Sequence, residues 1–93
     1  MDHSYDNNTL TVRLTQDFNW LTVQRVEPLA EDAHHIRIDL SAARLIDTEA
    51  LMLIDRLQRA GKTVQLIDPP DLLYDLIELL DLEPVLNVDT LVQ

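Results

Sequence analysis

The chain is 93 residues long, carries seventeen acids against seven Lys and Arg for a net charge of −10, and contains no cysteine. A chain of this size forms one domain, residues 1–93, burying only about 60% of its unfolded surface, with no room for a second core. The charge repels nucleic-acid phosphates and anionic lipid headgroups, no apolar run is long enough to span a bilayer, and nothing in Met1 to Asn8 reads as a signal peptide. The expectation is a soluble, cytoplasmic domain with a protein partner, no direct nucleic-acid contact and no membrane insertion.

Asp6-Asn7-Asn8 is turn chemistry, because Asn and Asp tolerate left-handed backbone, so His3 to Tyr5 is expected to pair back on the next segment as a hairpin arm. Thr9 to Thr15 alternates, with Leu10, Val12 and Leu14 on one side, which predicts a half-buried strand. Asn19 is a suitable N-cap for a helix starting at Trp20, whose Val23, Val26 and Ala30 recur at helical spacing. Pro28 falls well inside that helix and is expected to kink or tighten it near Glu27.

His35 to Leu40 predicts a second strand with Ile36, Ile38 and Leu40 inward, and the next helix runs from Asp47-Thr48 to a stop at Gly61. Lys62 to Ile67 predicts a third strand. Pro69-Pro70 ends it and introduces a last helix, Asp71 to Leu80, with an apolar stripe through Leu72, Leu73, Leu76, Ile77 and Leu80. A short edge segment is expected at Val85 to Val88. The alternation of strands and helices predicts an α/β layer, a mostly parallel central sheet packed with helices through right-handed crossovers.

Parallel central strands place the loops Gln16 to Asn19, Ser41 to Asp47 and Asp68 to Pro70 on one rim, where open α/β sheets hold their sites. Asn19 and the Asp47-Thr48 pair are therefore expected to be neighbours. On a helical wheel Ala50, Leu53, Ile54, Leu57 and Ala60 form the core arc, while Thr48, Met52, Asp55 and Arg59 lie opposite with Leu51 at the margin. Leu51 and Met52 read as exposed, a flexible thioether beside a leucine on a charged face suited to protein docking. Asp47 is explained as an N-cap. A phosphate on Thr48 would meet the positive end of the helix dipole.

No enzymatic constellation is visible. The chain has a single glycine, so no phosphate-cradling loop is expected, and His3, His34 and His35 lack companions for a metal site. No catalytic residue, metal or cofactor is predicted.

Three stretches together resemble the STAS domains of sulfate transporters and anti-sigma factor antagonists: "TLTVRLTQDFNW", "IRIDLSAARLIDTEAL" and "GKTVQLIDPPDLLYDLIELLDLEPVL". The resemblance covers about Leu10 to Leu86 and implies a STAS-like fold. In the antagonist branch the residue after the Asp is phosphorylated by a partner kinase that is also an anti-sigma factor, and the unmodified antagonist docks through this helix. Carried over, Thr48 is the candidate phosphoacceptor and Asn19, Asp47, Thr48, Glu49, Leu51, Met52, Asp55 and Arg59 are the candidate partner-binding residues. Where many relatives continue with a small residue and a glycine, this chain has Glu49 and Ala50, and Glu49 opposes a neighbouring phosphate by like charge. A second branch is also similar, the stand-alone STAS subunit of a phospholipid-transport ABC complex, which implies docking on and stabilising an ATPase. The antagonist role is the preferred expectation, with the transporter subunit as the alternative.

Overall fold

Strands β1 (Asp2–Asp6) and β2 (Thr9–Arg13) form an antiparallel hairpin whose two turn residues, Asn7 and Asn8, have φ of 50° and 62°. Positive φ at both central positions marks a type I′ turn, whose twist matches that of paired strands and which Asn adopts at low cost. The hairpin arm expected at His3 to Tyr5 is thus present and longer. The structure, a computed structural model, describes residues 1–79 and 91–92.

From β2 the chain alternates through α1 (Trp20–Ala30), β3 (His35–Asp39), α2 (Thr48–Arg59), β4 (Thr63–Ile67), α3 (Asp71–Leu79) and β5 (Leu91–Val92). The result is a small α/β domain with a mixed sheet in the order β1-β2-β3-β4-β5, antiparallel only at its first pair. The expected edge segment Val85 to Val88 and the final residue of the expected last helix, Leu80, lie outside the described residues. The described edge strand is Leu91–Val92, parallel to Leu66 and Ile67.

Each crossover from β2 onward moves to the adjacent strand in the same direction, so connections of one hand place the helices on one side of the sheet. Burial agrees: Leu10 and Val12, Ile36 and Ile38, and Val64 and Leu66 are buried in register across three strands. They share a single core with Val23 and Val26 of α1, Leu53 and Ile54 of α2 and Leu73 of α3. The alternate residues form the opposite, open face, where Ser4, Thr11, Arg37 and Gln65 lie in one row and Asp6, Thr9, His35 and Thr63 in the next.

The helix ends are stabilised by identifiable groups. α1 continues through Pro28 to Ala30, and its last turn contains no base. The positive charge its C-terminal end favours arrives from the residue before β4, where Lys62 Nζ donates to the carbonyls of the C-cap Glu31 and of Ala33 just beyond it at 2.9 and 2.6 Å. Tyr5 adds a bond from its hydroxyl to the Leu29 carbonyl, tying the hairpin to α1.

α2 ends in a Schellman motif: the Lys62 amide donates to the Leu57 carbonyl and the Gly61 amide to that of Gln58, with Gly61 at φ 86°. No heavy atom stands within 4 Å of a Cβ built at Gly61, so a side chain there costs backbone strain alone. Gly61→Ala is expected to lower the unfolding free energy by about 1 kcal/mol, with an unchanged denaturant slope in a urea titration.

Candidate functional site

The rim begins with two loops paired to each other. Phe18 and Ile46 form a parallel bridge, in which the Phe18 amide donates to the Leu45 carbonyl at 3.0 Å and the Asp47 amide to the Phe18 carbonyl at 3.1 Å. Both bridging side chains are buried, so the loops after β2 and β3 extend the core up to the helix starts. Asp17 closes the same junction from above: its Oδ1 accepts from the amides of Arg44 and Leu45 at 3.0 and 3.1 Å, and its carbonyl accepts the Thr22 hydroxyl at 2.8 Å.

Two helices start from this junction. Asn19 caps α1, its Oδ1 accepting from Leu21 and Thr22 amides at 3.1 and 3.3 Å. Asp47 caps α2 through Oδ1, which accepts from the Ala50 amide at 3.0 Å. The other oxygen, Oδ2, accepts from the Trp20 amide at 2.9 Å, so one carboxylate serves the first turns of both helices. This is the proximity of Asn19 to Asp47 that the parallel arrangement predicts, realised through a shared acceptor.

The two helix starts differ in what remains open. With Asp47 and Asn19 serving residues 20, 21 and 22, and the Val23 amide donating to the Asn19 carbonyl, the first turn of α1 is fully satisfied. In α2 the Ala50 and Leu51 amides bond Asp47, whereas the amides of Thr48 and Glu49 have no protein partner among the described residues. Both of those side chains are exposed. The positive end of α2 thus presents two free donors beside a free hydroxyl and the Glu49 carboxylate.

The outer surface of α2 only partly matches the wheel. Met52 is 49% exposed, as expected, and Thr48 and Arg59 are exposed on the same side. Arg59 is held by Asp55 one turn earlier at 3.0 Å, so this pair is satisfied within the helix. Leu51 is corrected: it is only 6% exposed and belongs to the core. Its flank of the helix lies opposite that of Arg56, which pairs with Glu27 of α1 at 3.0 Å, and burial there extends the core beyond the arc of a single stripe. Ala60 is corrected in the other direction, being the exposed C-cap rather than a core residue.

Exposed apolar residues at the rim escape the helical wheel, among them Leu21 in the first turn of α1. Trp20 is 52% exposed at the first position of α1, and Leu45 is 60% exposed in the loop before α2. Trp20 lies outside the Val23, Val26 and Ala30 arc, which was the available signal. Leu45 precedes the buried Ile46 in the extended bridge, and alternation turns it outward with Asp47. Asp17 carries no such signal, since an acid two residues before an N-cap gives no sign that it binds amides of a loop far along the chain.

No model of a known protein family matches the chain, and no curated protein matches it at a significant level. Among the described residues no cluster of three or more His, Cys, Asp or Glu is arranged to hold a metal ion, and no helix is long and apolar enough to cross a membrane.

Removing the shared carboxylate tests the junction directly. Asp47→Ala leaves the Ala50 and Trp20 amides without their acceptor and is expected to cost about 2 kcal/mol of stability in thermal or urea unfolding. Asp47→Asn retains one carbonyl oxygen, and its expected loss is about half as large.

Proposed function

We propose that the chain is a STAS-like, non-enzymatic docking module of the cytoplasm, resembling the anti-sigma factor antagonists. It binds a partner kinase or anti-sigma factor through the outer face of α2. The observation that carries this reading is the rim itself: Asp47 is fully used in fixing two helix starts, and around it stand the exposed Thr48, Trp20, Leu45 and Met52. Exposed aromatic and thioether side chains beside unpaired donors on a rigid frame suit protein recognition, because the ring supplies apolar contact area and the flexible thioether adapts to the surface it meets. Asn19 and Asp47 act in this reading as positioning residues, while Thr48, Glu49, Met52, Asp55 and Arg59 border the contact.

Thr48 is the phosphoacceptor of the proposed switch. The free amides of Thr48 and Glu49 favour a phosphate there and the Glu49 carboxylate opposes it. That opposition supports a second reading, permanent docking on the ATPase of a phospholipid-transport ABC complex, which needs no phosphate.

Affinity capture with mass spectrometry is expected to recover a kinase of the anti-sigma type, or under the second reading an ABC ATPase; capture of neither counts against both. With that partner in hand, Met52→Lys is expected to weaken binding about tenfold by isothermal calorimetry while leaving the melting temperature within a few degrees. Marked unfolding would show instead that Met52 supports the core. Incubation with the kinase and ATP is expected to add one phosphate to the wild type and none to Thr48→Ala by intact-mass measurement. An unmodified wild type removes the switch and leaves docking standing.

A further inference from the structure

Strands β2 to β5 are parallel, yet their helices lie on one side of them. Parallel sheets are ordinarily covered on both faces, and among the described residues nothing covers the second face of this one through β1 to β4. That face is chemically unlike the rest of the molecule. Its middle rows carry Ser4, Thr11, Arg37 and Gln65, then Thr9, His35 and Thr63, with acids only at the hairpin edge and at Asp39. Asp39 is already engaged. Its Oδ1 accepts from the Ser41 amide at 2.9 Å, and this bond, helped by the nearby Arg13 charge, holds the carboxyl below its ordinary range.

At the centre, Thr9, His35, Arg37, Thr63 and Gln65 line a shallow cavity of about 180 Å³ with the strand residue Ile36. No carboxylate of the described residues lines it. Arg37 has no ion pair or hydrogen-bond partner among the described residues, as is also true of the Arg25 and Arg44 side chains elsewhere on the molecule, whereas Arg56, Arg59 and Lys62 are engaged. An exposed guanidinium surrounded by hydroxyls, an amide and an imidazole presents donors with a matching geometry for carboxylate oxygens.

We propose that the open sheet face is a second interaction surface, and that it takes an acidic, extended segment of a protein partner, one carboxylate of which pairs with Arg37. Short side chains at Thr9, Thr11 and Thr63 let a backbone approach the sheet, and Thr and Gln groups satisfy its polar atoms. A second copy of this chain is a poorer occupant: face against face, Arg37 meets Arg37. This surface lies on the side of the sheet away from α2, so it is independent of the docking proposed for that helix.

The test is a titration of the ¹⁵N-labelled chain with an oligo-glutamate peptide at constant ionic strength, with an oligo-glutamine peptide and inorganic phosphate as separate arms. Saturable shifts are expected at the amides of Thr9, Thr11, His35, Arg37, Thr63 and Gln65 with the glutamate peptide only. Arg37→Gln is expected to weaken that binding roughly five- to tenfold with an unchanged spectrum elsewhere, and Arg37→Lys to recover part of it. The proposal is overturned by shifts confined to other surfaces, by none at all, or by an Arg37→Gln variant that binds as the wild type does. It fails equally if phosphate produces the same shifts as strongly, which marks a general small-anion site, or if the shifts follow protein concentration without peptide, which marks self-association.

Discussion

The Asp47 carboxylate is the constraint on which the arrangement of the rim depends. One oxygen accepts an amide of α2 and the other an amide of α1, at 3.0 and 2.9 Å. A cap satisfies one helix and leaves its neighbours free to pivot; a cap shared by two helices fixes the distance between their positive ends. The Phe18 and Ile46 bridge below it removes the remaining freedom, because both loops must stay extended and in register for their amides to be paired. Both Asp47 oxygens are thus committed to the frame of the rim. What the rim leaves exposed around them is Thr48 with the apolar side chains of Trp20, Leu45 and Met52.

The same economy of polar groups explains the opposite end. α1 has no base in its last turn, so a cation at its C-terminal end must come from outside the helix. Lys62 supplies it, immediately after the Schellman stop of α2. The two ends of the α1 and α2 pair are thus fastened by side chains that each cross between elements, Asp47 at the start and Lys62 at the finish. The Arg56 and Glu27 pair lies between them at the surface, where such a pair contributes about 1 kcal/mol or less.

Much of this was legible in the sequence where one side chain decides one thing. Alternation in Thr9 to Thr15, His35 to Leu40 and Lys62 to Ile67 gave three parallel strands to within a residue or two, and the paired asparagines gave the hairpin. Caps at Asn19 and Asp47 and the stop at Gly61 were local and readable for the same reason. What was not legible depends on two distant segments at once. Leu51 is buried because the core reaches past the arc that periodicity marks, and Ala60 is exposed because the helix has already ended there. Asp17 reads as an ordinary loop acid until Arg44 and Leu45 are brought beneath it. Leu45 counts as apolar content until the bridge turns it outward.

Charge decides what the rim is suited to hold. Glu49 in the first turn of α2 stabilises the helix by complementing the dipole, and it leaves its own amide and that of Thr48 unpaired beside it. A phosphate on Thr48 would gain those two donors and the dipole, then lose part of the gain to the adjacent carboxylate and to the repulsion of a molecule already at −10. A neutral or basic partner surface suffers neither loss. It gains apolar contact from Trp20, Leu45 and Met52, and any acceptor it brings to the free amides lies within the same attractive field. The electrostatics of the rim therefore favour a neutral or basic protein surface over a phosphate.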